Sequence, residues 1–433
     1  MSAFFGSRAN ANGNGNEPAR KRKVLVVIGT RPGAIKMSPV VRALQQRPEF
    51  EVCLCATAQH RELLDQVMMT FGLKPDHDLD IMTHGQSLTG IARSVMKGVE
   101  EVIHQERPEW VLVQGDTTTS MSASLAAFHE GVRLGHVEAG LRTQQIHSPF
   151  PEEGNRRISA AVSEIHFAPT EWAAENLRRE GISSDAVVVT GNTVIDAMHQ
   201  IAQRPFDHEA AGLGHLAPDG QRLILVTAHR RENLGEPMDQ ICQGLRAAAE
   251  RHPDAHFACP VHLNPKARTP FFRILSGLNN VSLLPPLDYP SLVWILNKCH
   301  FVVTDSGGLQ EEAAGLGKPV LVMREWTERP EGVHAGIARL IGTESEHVYG
   351  SIDALLSSDG SHRMMACSDS IYGDGNAAPR IAAALVDHSA MPPDREVVHM
   401  EAMSASLGMD LLTRRFRRSP SGEDAPAPDR SSP

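Results

Sequence analysis

Short runs of consecutive apolar residues recur along this chain, and each gives way to a longer stretch whose apolar positions repeat at helical spacing. An apolar run bounded by turn residues marks a strand buried on both faces, because a sheet covered by helices leaves neither face to water. Alternation of such runs with helical patterns predicts a parallel α/β architecture. Strands are predicted at Val24–Ile28, Val52–Ala56, Trp110–Val113, Leu134–Val137 and His166–Ala168. A polar stretch containing Pro and Gly, residues 204–221, interrupts the series. The pattern then resumes, with strands predicted at Leu223–Thr227, His256–Cys259, Val281–Leu284, Phe301–Thr304 and Pro319–Met323. Two runs of similar size predict two Rossmann-like α/β domains, residues 21–203 and 204–370, facing across a cleft. Residues 371–388 read as a C-terminal helix packing back on the first domain. Residues 1–20 are rich in Asn, Gly and Ala without a period, and 389–433 turn Ser/Pro/Arg-rich; both are expected to be disordered, a short helix at Met400–Phe416 aside.

Composition narrows the function classes. A chain of 433 residues exceeds one typical core, which fits two domains. Its formal net charge of -10 argues against a nucleic-acid-coating surface, while leaving room for a local basic cleft. No apolar run approaches the roughly 20 residues of a membrane helix, so no membrane partner is expected. The N-terminus carries its basic cluster after a short apolar patch, which is not the order of a secretory signal. Six cysteines form no CxxC pair, and Cys53 and Cys55 alternate on one face of a predicted strand as packing residues do. Reduced thiols and a cytoplasmic location are expected. The 21 histidines are scattered, and no metal site is expected.

In parallel α/β sheets ligands bind beyond the carboxyl ends of the strands, so the residues at those tips carry the chemistry. The first half places Arg31 and Lys36 after one strand, Asp116 after another, and Glu138 with Arg142 after a third. Thr117 stands where it caps the helix that follows. A Pro-rich loop then adds Glu152, Glu153, Arg156 and Arg157. A single acidic tip residue is usually a helix cap; acids at three tips of one half point to acid/base work or metal binding. The second half offers His229, then Ser306, Gly307 and Gly308 opening a helix, then Glu312, Arg324 and Arg329. Free N–H groups and the dipole at a helix start hold phosphate, and glycines let the backbone approach closely. Glu312, about one turn in, is placed to accept ribose hydroxyls. The predicted division is nucleotide on the second domain and chemistry from the first.

Several motifs fail. GTRPGAIKMS is not a P-loop, because Gly33 is followed by Ala34 rather than by Lys and Ser/Thr. No GxGxxG follows a predicted strand, so no nicotinamide or other redox cofactor is expected. TDSGG follows an apolar strand and opens an Ala/Leu helix, which is not a serine-protease context, and there is neither a GxSxG elbow nor an HExxH.

From about Val24 to Asp387 the chain resembles the non-hydrolysing UDP-N-acetylglucosamine 2-epimerases, which have the two-domain GT-B fold. The strings that carry the resemblance include GTRPGAIKMSPV, TAQHRELLDQV, VQGDTTTS, GHVEAGLRT, PFPEEGNRR, LVTAHRRENLGEP, PVHLNP, TDSGGLQEEA, TERPEGV and YGDGNA, in order. The resemblance implies that Asp116, Glu138 and Glu152 are catalytic carboxylates and His229 the histidine near the phosphates. It implies cleft cations at Arg31 and Lys36, a diphosphate turn at Ser306, Gly307 and Gly308, a ribose ligand at Glu312 and a further substrate contact at Arg329. Leu287 and Leu292 match the lining of the uracil pocket, largely through backbone contacts. Gln59, His60 and Arg61 resemble part of a site where a second UDP-N-acetylglucosamine activates bacterial members. A homodimer is implied as well. One departure is Gly33, where GTRPEAIK usually has Glu.

The implied reaction is interconversion of UDP-N-acetylglucosamine and UDP-N-acetylmannosamine through 2-acetamidoglucal, with UDP expelled and re-added. Competing readings are a related 2-epimerase acting on another UDP-sugar such as a UDP-diacetamido-uronic acid, a hydrolysing epimerase, a GT-B glycosyltransferase, and an inactive nucleotide-sugar sensor.

Overall fold

The structure is a computed structural model that describes residues 21–389 apart from 58–60, 83–84, 217–219 and 367–369. The expectations for the two tails, including the helix at Met400–Phe416, lie outside the described residues.

Two parallel sheets organise the described chain. The first holds β1 (Arg22–Ile28), β2 (Phe50–Ala56), β3 (His77–Asp78), β4 (Trp110–Gln114), β5 (Arg133–Val137), β6 (Ile165–Ala168) and β7 (Val187–Val189), in the order β3-β2-β1-β4-β5-β6-β7. The second holds β8 (Arg222–Thr227), β9 (Ala255–Pro260), β10 (Val281–Leu284), β11 (Phe301–Thr304), β12 (Val320–Val322) and β13 (Ala338–Leu340), in the order β10-β9-β8-β11-β12-β13. These are the two predicted Rossmann-like units. Both sheets reverse their winding once, between β1 and β4 and again between β8 and β11. At such a reversal the loops leaving two neighbouring strands diverge to opposite faces and open a crevice.

The strands are buried on both faces, as continuous apolar runs require. Along β1, Val24, Val26 and Ile28 enter one core, while Leu25 and Val27 enter another on the opposite face. β8 repeats the arrangement, with Ile224 and Val226 on one side and Leu223 and Leu225 on the other. Truncating one of these leucines to alanine costs about 2–5 kcal/mol.

The segment 204–221 is more than a linker. Leu213 and Leu216 are buried in the second unit's core, the latter in a 3-10 turn, Gly214–Leu216. Helix Thr193–Ala202 packs against elements of both units. Its Ile195 lies where a side chain on Gly315 of helix Gly307–Gly315 would be, 2.6 Å from an added Cβ. Only glycine permits that approach. The last helix, Ala377–Ser389, lies on helices Arg31–Gln45 and Thr193–Ala202, burying Ile381 and Leu385 in the first core. The Asp196 carboxylate accepts the Ala377 and Ala378 amides at 3.2 and 2.8 Å and so caps its first turn. Among the described residues no helix is long and apolar enough to cross a membrane.

Candidate active site

The loops at both winding reversals open onto one cavity of 660 Å³. Asp116, Glu138, Glu152 and His229 line it, as do Arg31, Lys36, Leu287, Leu292, Ser306, Gly307, Gly308, Glu312 and Arg329. Gln59 and His60 lie outside the described residues, and so does the side chain of Arg61.

The carboxylates come from three differently built supports. Gly115 turns the chain after β4 at a φ of +71°, and Asp116 follows. Thr117 then caps helix Thr118–His129, its hydroxyl accepting the Ser120 amide at 3.0 Å. Arg156 pairs with the Asp116 carboxylate, and Asn155 donates to the Asp116 carbonyl at 2.9 Å. Burial alone would raise Asp116, but Arg156, with Lys36 and Arg329 behind it, holds it below the usual carboxylate range. It is the ionised form that this pocket keeps.

Glu138 sits just past β5 at a φ of +61°, a left-handed conformation costing a non-glycine residue on the order of 1–3 kcal/mol. The surroundings hold it there. Ala139 donates to the Phe167 carbonyl at 3.0 Å, fixing the backbone. Lys36 and Asn192 donate to one carboxylate oxygen, the latter at 3.2 Å, and Gln114 donates to the other. Lys36 would be lowered by burial, yet Glu138 and Glu311 outweigh that and raise it. It stays an ammonium.

Glu152 does not sit in the Pro-rich loop, as its surroundings in sequence predict, but opens helix Glu152–Val162. Acidic residues in the first turn suit the helix dipole, which is why the helix begins there. The pair then divides. Glu152 lines the cavity, and its Oε2 is buried without a hydrogen-bond partner. Glu153 is fully buried and accepts from the Thr143 amide at 3.1 Å, pairing also with Arg156 and Arg157 at 3.3 and 3.2 Å. Arg142 turns away from the cavity into a bidentate pair with Glu180, at 2.8 and 2.6 Å. Arg324 pairs with Glu328 and Glu232 and is not a lining residue.

On the second unit, Ser306 precedes helix Gly307–Gly315 without capping it through its side chain, so the first amides remain available. Gly307 is glycine because the Arg329 guanidinium occupies its side-chain space, with Nη1 2.5 Å from an added Cβ. Gly308 meets nothing nearer than Glu312 Oε2, at 3.9 Å. Burial pushes Glu312 up to about 7, with Tyr289 and Lys36 pulling the other way and Glu311 adding to the rise. Arg31 reaches across from the first unit to donate to the Leu287 carbonyl at 2.8 Å. The Leu292 amide donates to the carbonyl of Asp288, the residue that caps helix Tyr289–Lys298, at 3.1 Å. The departure at Gly33 is tightly surrounded, since an added Cβ stands 3.3 Å from both Gln114 Oε1 and Thr30 Oγ1.

His229 follows β8, 38% exposed, with its ring stacked on His262 at a centroid separation of 5.7 Å. Burial lowers its imidazole, with Arg230 and His262 adding to the fall against Asp305, and it is neutral at neutral pH.

Sequence reasoning missed the groups that hold these residues. Glu311 bridges Lys36 at 3.3 Å and Arg329 at 2.7 Å, joining the two units through buried charge. Glu328 pairs with Arg329 and Arg324 at 2.8 and 2.9 Å. Two adjacent carboxylates inside an Ala/Leu helix, Glu311 and Glu312, were the available signal.

Away from the cavity, Cys53, His77 and Glu106 bring potential metal-donor atoms within 4.8 Å of one another. Lys23 already donates to Glu106 at 2.7 Å, His77 pairs with it at 2.8 Å, and burial pushes the Cys53 thiol up to about 12. The set is a satisfied ion-paired cluster.

A family model described as UDP-N-acetylglucosamine 2-epimerase matches residues 42–386. The UDP-N-acetylglucosamine 2-epimerase of Escherichia coli K12 is 46% identical over 369 residues, spanning 84% of this chain and 98% of that protein. A probable UDP-N-acetylglucosamine 2-epimerase of Ralstonia nicotianae is 47% identical over 370 residues, with 84% and 98% covered. The crystal structure of the Neisseria meningitidis UDP-GlcNAc 2-epimerase bound to UDP-GlcNAc superposes with a TM-score of 0.81 at 44% identity, covering 84% of this chain and 100% of that one. By sequence over most of its length and by its two facing α/β units, the chain belongs to the UDP-N-acetylglucosamine 2-epimerase family of enzymes.

Proposed function

We propose that the protein interconverts UDP-N-acetylglucosamine and UDP-N-acetylmannosamine without hydrolysis, by eliminating UDP and adding it back. The observation that carries this reading is one cavity with acidic side chains on the wall from the first unit and a glycine-opened helix start on the wall from the second.

The C-2 hydrogen of the sugar has no adjacent carbonyl, so direct deprotonation is difficult. Loss of UDP first builds oxocarbenium character at C-1, and the C-1–O electron pair leaves on the β-phosphate oxygen. A carboxylate then takes the C-2 proton, and the C–H electrons become the C-1=C-2 double bond of 2-acetamidoglucal. A second carboxyl group, carrying a proton on the opposite face, gives it to C-2 as the double-bond electrons form the new C–H bond. A β-phosphate oxygen pair closes the C-1–O bond again, which completes the inversion. Transfer on two faces needs two acid/base groups, and Asp116, Glu138 and Glu152 supply them. Their negative charge also favours the cationic transition state. Arg31, His229, Arg329 and the amides after Ser306 take the charge of the departing diphosphate. Replacing any one of the three carboxylates by its amide should cost about 10²–10⁴ in kcat.

Incubation with UDP-N-acetylglucosamine in deuterated water, with no nicotinamide added, tests the reading. It requires deuterium at C-2 and a UDP-linked mannosamine product. Free N-acetylmannosamine would instead make the enzyme hydrolytic. Turnover confined to a UDP-diacetamido-uronic acid would move the substrate, and binding without turnover would make the protein a sensor.

A further inference from the structure

Parallel pairing sets Thr227, the last residue of β8, against Thr304, the last of β11, so the two strand tips emerge side by side. Asp305, the next residue, is fully buried and reaches into the turn that carries His229. Its Oδ2 accepts the His229 amide at 2.8 Å, the Arg230 amide at 2.8 Å and Asn233 Nδ2 at 3.0 Å. One oxygen is thus fully satisfied. The other, Oδ1, is buried without a hydrogen bond, and His229 Nδ1 stands 3.4 Å from it.

A buried carboxylate oxygen with no partner is costly, and the ring nitrogen beside it is the means of relief. At 3.4 Å the contact is longer than a good N–H···O bond, and a small rotation of the partly exposed ring closes it. An acceptor on that side can be satisfied only if Nδ1 carries hydrogen. In a neutral imidazole this leaves Nε2, the opposite ring nitrogen, as the one turned to the cavity that His229 lines.

We propose that Asp305 is a positioning residue that holds the proton of neutral His229 on Nδ1, presents Nε2 to the diphosphate, and balances the imidazolium formed when the diphosphate binds. This rests on the reading of the cavity as a UDP-sugar site. The charged and titratable groups facing the ring are Asp305 after β11, Arg230 and Glu232 after β8, and His262 after β9. Arg230 and His262 oppose a second positive charge, while Asp305 and Glu232 favour it. An arriving diphosphate tips that balance, Nε2 takes a proton, and Nε2–H donates to the phosphate oxygen that will leave. A carboxylate behind an imidazole performs the same service in hydrolytic triads, where it fixes the tautomer without itself changing protonation state.

Nitrogen NMR of histidine-labelled protein, with His229→Gln used to assign the His229 signals, reads the tautomer directly. Wild-type His229 should carry its proton on Nδ1 at neutral pH, and added UDP should raise the pH at which the ring titrates. Asp305→Asn can keep an accepting oxygen for the backbone amides but turns an amide N–H toward the ring, so His229 should switch to the Nε2–H form. Its kcat should fall by about a hundredfold or more while KM stays within about threefold, with the pH profile of kcat displaced. In a His229→Gln background, Asp305→Asn should cost nothing further.

An Nε2–H tautomer in the wild type overturns the proposal, and does so even if Asp305→Asn fails to fold. An equal loss from Asp305→Asn with and without His229 overturns it too, by making Asp305 a structural support. Wild-type protein that shows the Nδ1–H form yet does not turn over UDP-N-acetylglucosamine would count against the substrate reading instead.

Discussion

Glu312 holds a carboxyl in a wall where Tyr289 and Glu311 are its neighbours, and burial pushes it up from 4.5 to about 7. The folded protein therefore keeps a proton there that the unfolded chain gives up. Stability from this group is fully present below about 4.5 and is lost as pH rises toward about 7. The shift corresponds to about 3 kcal/mol at most. Ribose hydroxyls donating to the carboxylate favour its ionised form, so UDP binding near pH 7 should release a fraction of a proton. Calorimetric titration in buffers of different ionisation enthalpy measures the net of that release and the uptake at His229. Glu312→Gln should remove that release, shifting the proton balance of UDP binding toward uptake, and weaken UDP by about tenfold or more; the same proton balance in variant and wild type would remove Glu312 from the ribose site. The acidic and basic tip residues were legible in the sequence because they follow apolar runs. Their supports were not: Glu311 meets Lys36 from 275 positions away, and Asp305 meets His229 from 76. Side chains that distant are joined by strand order alone.

Among the elements, long buried strands announced themselves and short edge strands did not. β3, β7 and β13 have two or three residues each, too few for a period to show, and they were absent from the sequence reading. The prolines before Glu152 suggest a loop, whereas proline and acidic residues also mark a helix start, as they do here. Helix Gly307–Gly315 was anticipated, but the distinct duties of its first two residues come from the structure. Gly307→Ala must displace Arg329, and it should raise KM for the UDP-sugar by about tenfold and cost about 1–3 kcal/mol of stability. Gly308→Ala has room for its methyl against the protein and should melt as the wild type does. Equal melting temperatures and equal KM for the two variants would show that the space beside Gly307 is not filled by Arg329.

At the scale of the molecule, two α/β halves follow from the alternation of apolar runs, and a chain reversing its winding once in each sheet follows from nothing local. That reversal is what makes the loops after β1, β4, β8 and β11 converge on one cavity. Contacts between the halves then fix its walls: Arg31 on the Leu287 carbonyl, Lys36 on Glu311, and the Thr170 hydroxyl on Glu331. On the proposed reaction, a cavity walled by both halves would keep the leaving group beside the acids until it returns, and closing around it would keep water from the intermediate. The most direct test starts from UDP-N-acetylglucosamine carrying a heavy oxygen isotope in the bridge between C-1 and the β-phosphate. Captive elimination predicts that the label spreads into the non-bridging β-phosphate oxygens of recovered substrate, while unlabelled UDP added outside does not enter the UDP-sugar pool. A label that stays in the bridge throughout C-2 inversion would contradict the account.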